Sequence, residues 1–383
     1  MSALLSVLGW ICLALAVAGI GYGGHALVAI ARFRRRPPAP AVAAEPVTLL
    51  KPLHGAEPRL GANLRTFLDQ DWPAPVQLVA GVADARDPAV AVARALPRGP
   101  GRRVTAVVDA TAHGANAKVG NLLNMMPAAA HDLLVLSDSD MAVAPDYLAR
   151  VAAALAVPGT GAVTCLYRGR GDAGGWSVLA AAAVSYTFLP SVVVSLSLGD
   201  ARVCMGSTIA LRRETLDAIG GFAPLANVLA DDHALGAAVR ARGLAVAVPP
   251  MLVTHASAER SLGALVRHEL RWAATVRDVV SPPEYLGLFL TQPLAPALLA
   301  CVAMPRAGAV AVALALGGRA LLWRAVDRWA GARTAPLWLL PARDLLSWAL
   351  LAASLFVRSV DWRGARLRMA GRGRIVPETE LSP

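Results

Sequence analysis

Charge is scarce in these 383 residues: only 16% are Asp, Glu, Lys or Arg, against 56% hydrophobic residues and a mean hydropathy of +0.51. That scarcity argues against an ordinary soluble protein and fits a membrane protein with a substantial extramembrane domain. Cysteine is scarcer still. Cys12, Cys165, Cys204 and Cys301 show no CxxC or metal-like spacing, which speaks against a zinc site or a disulfide framework. Basic residues are missing ahead of the first apolar run, Ala3 to Ile30, which is closed instead by Arg32, Arg34, Arg35 and Arg36. With no small-residue cleavage site either, a signal peptide is disfavoured, and residues 1–36 are expected to be a transmembrane anchor with residue 1 outside and residue 37 inside. The formal net charge is +11, but the arginines gather beside apolar segments without interleaved aromatics. Anionic lipid headgroups are therefore the expected partner, and nucleic acid is not.

A Pro/Ala-rich linker, residues 37–46, precedes a domain expected over 47–260. There, short apolar runs (VTLLKPL, VQLVAGVAD, VTAVVD, LLVLSDSD) alternate with helical patterns near Arg59–Asp69, Ala89–Ala95 and Lys118–Met126. The alternation predicts an α/β fold with a mostly parallel sheet, helices on both faces and functional groups at the carboxyl ends of the strands. Further strands are expected at Ala162–Tyr167 and Val203–Leu211, and a helix at Asp232–Arg242. The apolar stretch Trp176–Gly199, interrupted by Ser, Thr and Pro190, reads as an interfacial or re-entrant wall. An interfacial helix carrying HELRW (His268 to Trp272) is expected over 261–283, transmembrane segments over 284–358 and a basic tail over 359–383. Three apolar segments (Tyr285–Met304, Ala307–Trp323, Pro336–Val357) would leave that tail outside, where its arginines do not belong, so one is expected not to be a simple span. The middle one, with Arg319 and Arg324, is the suspect.

Asp84 ends one strand pattern, and Asp138 and Asp140 end another. Carboxylates at neighbouring strand ends converge on one crevice, and an Asp-x-Asp pair there can hold a divalent ion against a diphosphate, although such a pair can also simply cap a turn. Asp231 and Asp232 open a helix; dipole complementation explains one, and a general base would use the other. Asn116, Lys118 and Asn121 form either a polar helix start or a set of donors facing a nucleotide, with Lys118 a candidate diphosphate contact.

In this order, Asp84, Asp138 with Asp140, Asp232 and finally Arg271-Trp272 resemble the pattern of membrane glycosyltransferases with the GT-A (nucleotide-diphospho-sugar transferase) fold. The nearest likeness is to the ceramide glucosyltransferase group, family 21 type, and it runs from Leu49 to Gly373. His268 departs from that pattern, which has Gln or Arg there. The stretches GANAKVGNLLNM, AVTCLYRGR, GSTIALRRETL and LADDHALGAAVRARGLAVAVPP most resemble the bacterial glycosyltransferases of hopanoid biosynthesis.

The resemblance implies an inverting, UDP-sugar-dependent enzyme of the bacterial inner membrane with a cytoplasmic catalytic domain. Its implied reaction moves N-acetylglucosamine from UDP-N-acetylglucosamine to bacteriohopanetetrol, with UDP-glucose and ceramide as the rival pair. The resemblance implies Asp84 and Asp138 as donor-binding residues, beside Asn116 and Lys118 expected from the helix start; implied metal ligands for Mg2+ or Mn2+ are Asp138 and Asp140. Implied catalytic residues are Asp232 as base, Arg271 on the leaving UDP, Trp272 at the acceptor end and His268. A non-catalytic transporter or scaffold is the alternative from another class.

Overall fold

The computed structural model describes residues 3–199, 204–362 and 365–377; of the expected elements, Met1 and Ser2 of the anchor, Val203 of one strand, and Arg363, Gly364 and 378–383 of the tail lie outside these. Two compact units emerge. One comprises Pro37–Tyr167, Ala201–Ala258 and Gly364–Pro383; the other comprises Met1–Arg36, Arg168–Asp200 and Glu259–Arg363.

The first unit is built on strands whose apolar runs leave no polar face. β1 (Val47–Pro52) and β2 (Val76–Val82) are buried along their whole length, as strands covered on both sides must be. With β3 (Arg102–Val108), β4 (Leu133–Leu136), β6 (Thr160–Thr164), β8 (Ile209–Arg212) and β9 (Ala245–Ala247) they form a seven-stranded sheet of order β3-β2-β1-β4-β8-β6-β9. β3, β2, β1 and β4 run parallel, and β8 is antiparallel to both its neighbours. The expected α/β fold with a mostly parallel sheet is present. Two short strands, β5 (Met141–Ala142) and β10 (Leu252–Ser257), pair antiparallel beside it, and β7 (Leu166–Gly171) follows β6 directly.

Helices α2 (Leu60–Leu68), α3 (Pro88–Arg94), α4 (Ala117–Met125), α5 (Tyr147–Leu155), α8 (Arg213–Ala218) and α9 (Asp231–Ala241) belong to this unit. Val119, Leu122 and Met125 of α4 and Leu235 and Val239 of α9 pack in one core with Leu50, Val79, Leu134 and Leu211. α4 approaches β2 so closely that a Cβ on Gly81 would lie 2.3 Å from Asn121 Oδ1, and the Asn121 amide donates to the Gly81 carbonyl at 2.7 Å. The linker is mostly exposed over residues 37–43 and is tied down at its end, where Arg212 forks the Glu45 carboxylate at 2.8 and 2.7 Å and the Trp72 indole donates to the Glu45 carbonyl.

The second unit is helical: α1 (Ala3–Phe33), α6 (Gly175–Ala183), α7 (Leu189–Ser197), α10 (Leu262–Val279), α11 (Pro282–Gly287), α12 (Leu294–Ala303), α13 (Pro305–Ala330) and α14 (Leu340–Ser354), with strand β11 (Ser359–Trp362). Among the described residues, three helical stretches, Ala3–Phe33, Gly175–Ser197 and Pro305–Ala330, are long and apolar enough to cross a membrane.

Two sequence expectations are corrected here. Pro190 does not break Trp176–Gly199: a π turn at Val184–Phe188 joins α6 to α7 in one helical stretch, and the Tyr186 carbonyl, four residues before the proline that has no N–H to offer it, accepts from Arg319 at 2.9 Å. The suspected middle segment becomes α13, a 26-residue helix of spanning length, because the Arg319 charge is matched by Asp344 at 2.8 Å and by the Tyr186 carbonyl. The irregular neighbours are the segment before it, bent by 77° between Pro282–Thr291 and Leu294–Ala303, and α14, which has only 15 residues.

Candidate active site

The carboxyl ends of β2, β1 and β4 lie along one edge of the sheet, so Asp84 and Asp138 both project from that edge. Two strand spacings separate β2 from β4, about 10 Å. Asp84 is exposed and held by Arg86, whose guanidinium donates to both carboxylate oxygens at 3.2 and 3.0 Å; that hydrogen bonding lowers the Asp84 pKa.

At Asp138 the chain builds a charge cluster. The Lys118 ammonium, at the start of α4, meets Asp138 Oδ1 at 2.9 Å and Asp231 Oδ2 at 3.1 Å, with side-chain exposures of 10, 34 and 9% for the three. Burial opposes the ammonium charge, but Asp138, Asp231 and Asp232 outweigh it and raise the Lys118 pKa. Burial also raises the Asp138 pKa, against the pull of Lys118 and with a further push from Asp140. The Asp232 carboxylate accepts from the Gly206 N–H at 2.9 Å and the His233 N–H at 2.8 Å. Burial, followed by the Asp231 charge, pushes its pKa up to about 6. A carboxyl group so tuned is a base matched to neutral pH.

Gly206 is the hinge of this cluster and was not apparent from sequence. Its carbonyl accepts from the Asp138 N–H at 3.3 Å, its N–H binds Asp232, and a Cβ there would lie 2.7 Å from Asp138 Oδ2. Gly206→Ala is expected to displace the Asp138 carboxylate while the core stays folded; a structure of the variant beside a melting curve checks this.

Two further residues also escaped sequence reasoning. Lys51, fully buried in β1, donates to Ser137 Oγ and to the Asp138 carbonyl, both at 2.9 Å, and lies 3.3 Å from the Phe67 ring centroid. Burial drives its pKa well below the usual lysine value, against the pull of Asp138, Asp140 and Glu57. The available signal was a lysine near the end of an otherwise uncharged, mostly apolar strand, VTLLKP. His255, brought opposite Met141 by the β10–β5 register, places Nε2 3.2 Å from Asp140 Oδ2.

Asn116 caps α4 through its Oδ1, which accepts from the Val119 N–H at 3.1 Å, and its Nδ2 donates to the Val228 carbonyl at 2.6 Å, so it ties the α4 start to the loop before α9.

The donors available here to a divalent ion are carboxylate oxygens. Asp138 and Asp140 are hard oxygen donors two residues apart, and among the described residues no group of three or more His, Cys, Asp or Glu side chains is placed to hold a metal. A protein that offers one or two carboxylates and leaves the remaining positions to phosphate and water is the usual partner of Mg2+ or a similar ion.

His268, Arg271 and Trp272 stand on α10 in the helical unit. The His268 ring meets Trp272 edge to face with centroids 4.6 Å apart, and its Nδ1 is hydrogen-bonded to Glu259, which is 8% exposed. In the same HELRW stretch, Glu269 forms a forked pair with the fully buried Arg343 at 2.8 and 2.7 Å, a structural role.

Known proteins identify the family and the fold. A ceramide glucosyltransferase from Komagataella phaffii is 31% identical over 116 residues, which cover 29% of this chain and 23% of that protein. A mannosyltransferase from Pyrobaculum calidifontis, solved in complex with GDP-Man and Mn2+, superposes with a TM-score of 0.53 at 22% identity, covering 91% of this chain and 99% of that one. That likeness shows a fold of the GT-A type. The sequence model of glycosyl transferase family 21 matches residues 11–375, so the chain belongs to glycosyl transferase family 21 and is a glycosyltransferase.

Proposed function

We propose that the protein transfers N-acetylglucosamine from UDP-N-acetylglucosamine to the hydroxyl of a membrane lipid of the bacteriohopanetetrol type, with inversion at the anomeric carbon. The observation that carries the transfer chemistry is the half-buried Asp232 carboxylate, which accepts from the Gly206 and His233 N–H groups and whose pKa is pushed up to about 6. The donor and acceptor rest on the sequence resemblance. UDP-glucose to ceramide remains the second reading, favoured by the Komagataella phaffii relative.

In this reading Asp84 binds the uridine end, and Asp138 and Asp140 hold a divalent ion. When bound, that ion supplies positive charge against the diphosphate. Asp232 removes the acceptor hydroxyl proton as the oxygen attacks the anomeric carbon and UDP departs. Lys118 holds Asp138 in place, and Lys51 fixes the Ser137–Asp138 backbone. Arg271 steadies the leaving diphosphate as a permanently charged fork, Trp272 packs at the acceptor end, and His268 is oriented by Glu259. The catalytic unit faces the cytoplasm of a bacterial inner membrane, where nucleotide sugars are made.

Asp140→Ala is expected to raise the metal concentration for half-maximal turnover by about tenfold or more; an unchanged metal titration would remove Asp140 from the site. Donor and acceptor are tested together by mass spectrometry of lipids from a host that makes bacteriohopanetetrol, with and without this protein. A new N-acetylhexosamine-bearing hopanoid is expected, and a hexosylceramide in a host supplied with ceramide would favour the second reading.

A further inference from the structure

The chain returns to the α/β unit after its helices. β12 (Ala365–Met369) and β13 (Ile375–Pro377) form an antiparallel hairpin anchored by Leu367 and Ile375, which are 1 and 2% exposed. Its tip pairs with the loop before α9: the Leu229 N–H donates to the Gly373 carbonyl at 2.7 Å, the Ile375 N–H donates to the Asn227 carbonyl at 3.0 Å, and Val228 bridges Arg374. The same loop is tied on its other side to the start of α4. Asn227 Oδ1 accepts from the Ala115 N–H at 2.8 Å, the Ala226 carbonyl accepts from the Asn116 N–H at 2.8 Å, and the Asn116 amide reaches Val228. Loop 226–230 leads straight into Asp231 and Asp232, and the α4 start carries Lys118.

We propose that this hairpin is a positioning clamp: by pinning loop 226–230 against the α4 cap, it sets the distance between Lys118 and the Asp231–Asp232 pair and so the placement of the base. The basic tail is then a working part of the catalytic unit as well as a headgroup-facing segment. The inference rests on Asp232 being the base, and the test separates the two claims.

The full chain is compared with one ending at Trp362 and with a Leu367→Ala/Ile375→Ala variant, reading hydrogen exchange together with kcat and KM for the nucleotide sugar. The clamp predicts exchange at 226–230 faster by about tenfold or more. It also predicts kcat lower by about tenfold or more, because small misplacements of a reacting group are costly, with KM changed less than about threefold. Unchanged exchange at 226–230, or faster exchange with undiminished kcat, overturns it. If the shortened chain also loses protection in β1 and β2, the double-alanine variant decides by the same criteria. Asp232→Asn is assayed alongside: normal turnover in that variant sinks the base assignment, and the clamp is then judged on exchange alone.

Discussion

Asp232→Asn is expected to keep nucleotide-sugar affinity within a few fold and to cut turnover by about 10²–10⁴-fold, the usual loss when a positioned general base is removed. The amide can still accept from Gly206 and His233, so the loop geometry survives while proton acceptance is lost. The same assignment fixes the sign of the pH dependence. A base must be ionised to act, and burial has raised this carboxyl to about 6, so kcat/KM should hold above that value and fall tenfold per unit as pH drops through it. A flat profile down to the range of an ordinary aspartate would show that another group takes the proton. Calorimetry with UDP-sugar and steady-state rates across pH measure both.

Lys118→Met has the second-largest expected effect, on folding. The ammonium lies within 3.1 Å of two carboxylates, Asp231 buried and Asp138 about one-third exposed, and its loss leaves them facing each other without a counter-charge. Breaking a fully buried pair costs about 3–5 kcal/mol; solvent at Asp138 places this case at about 3 kcal/mol. Chemical denaturation of the variant should show that loss. Added Mg2+ or Mn2+ should recover part of it, because a cation at Asp138 replaces the missing charge, whereas a lysine that merely filled space would give no cation-dependent recovery.

The parts visible from sequence were those written in local pattern. Continuous apolar runs announced β1, β2 and β4, and Asp138 and Asp140 stood where such a run stops, so the sheet and its acidic edge could be read directly. What stayed hidden depends on register between distant segments. Gly206 reaches Asp138 only because β8 runs antiparallel beside β4, with Ile209 opposite Leu136. His255 meets Asp140 through the β10–β5 pairing, which two short strands do not advertise. Arg319 looked like a reason to doubt a span because its partner, Asp344, lies on another helix. The Asn116 amide meets the Val228 carbonyl across 112 residues of sequence, a contact that no local pattern announces.

The central claim is a single-base, inverting transfer of a UDP-linked sugar to a lipid hydroxyl, and the structure of the product tests it most directly. Purified full-length protein in vesicles containing bacteriohopanetetrol, given UDP-N-acetylglucosamine and Mn2+, should yield a glycolipid whose anomeric proton shows the β configuration by NMR, inverted from the α-linked donor. An α-linked product, or UDP release with no sugar on any lipid, would contradict the account.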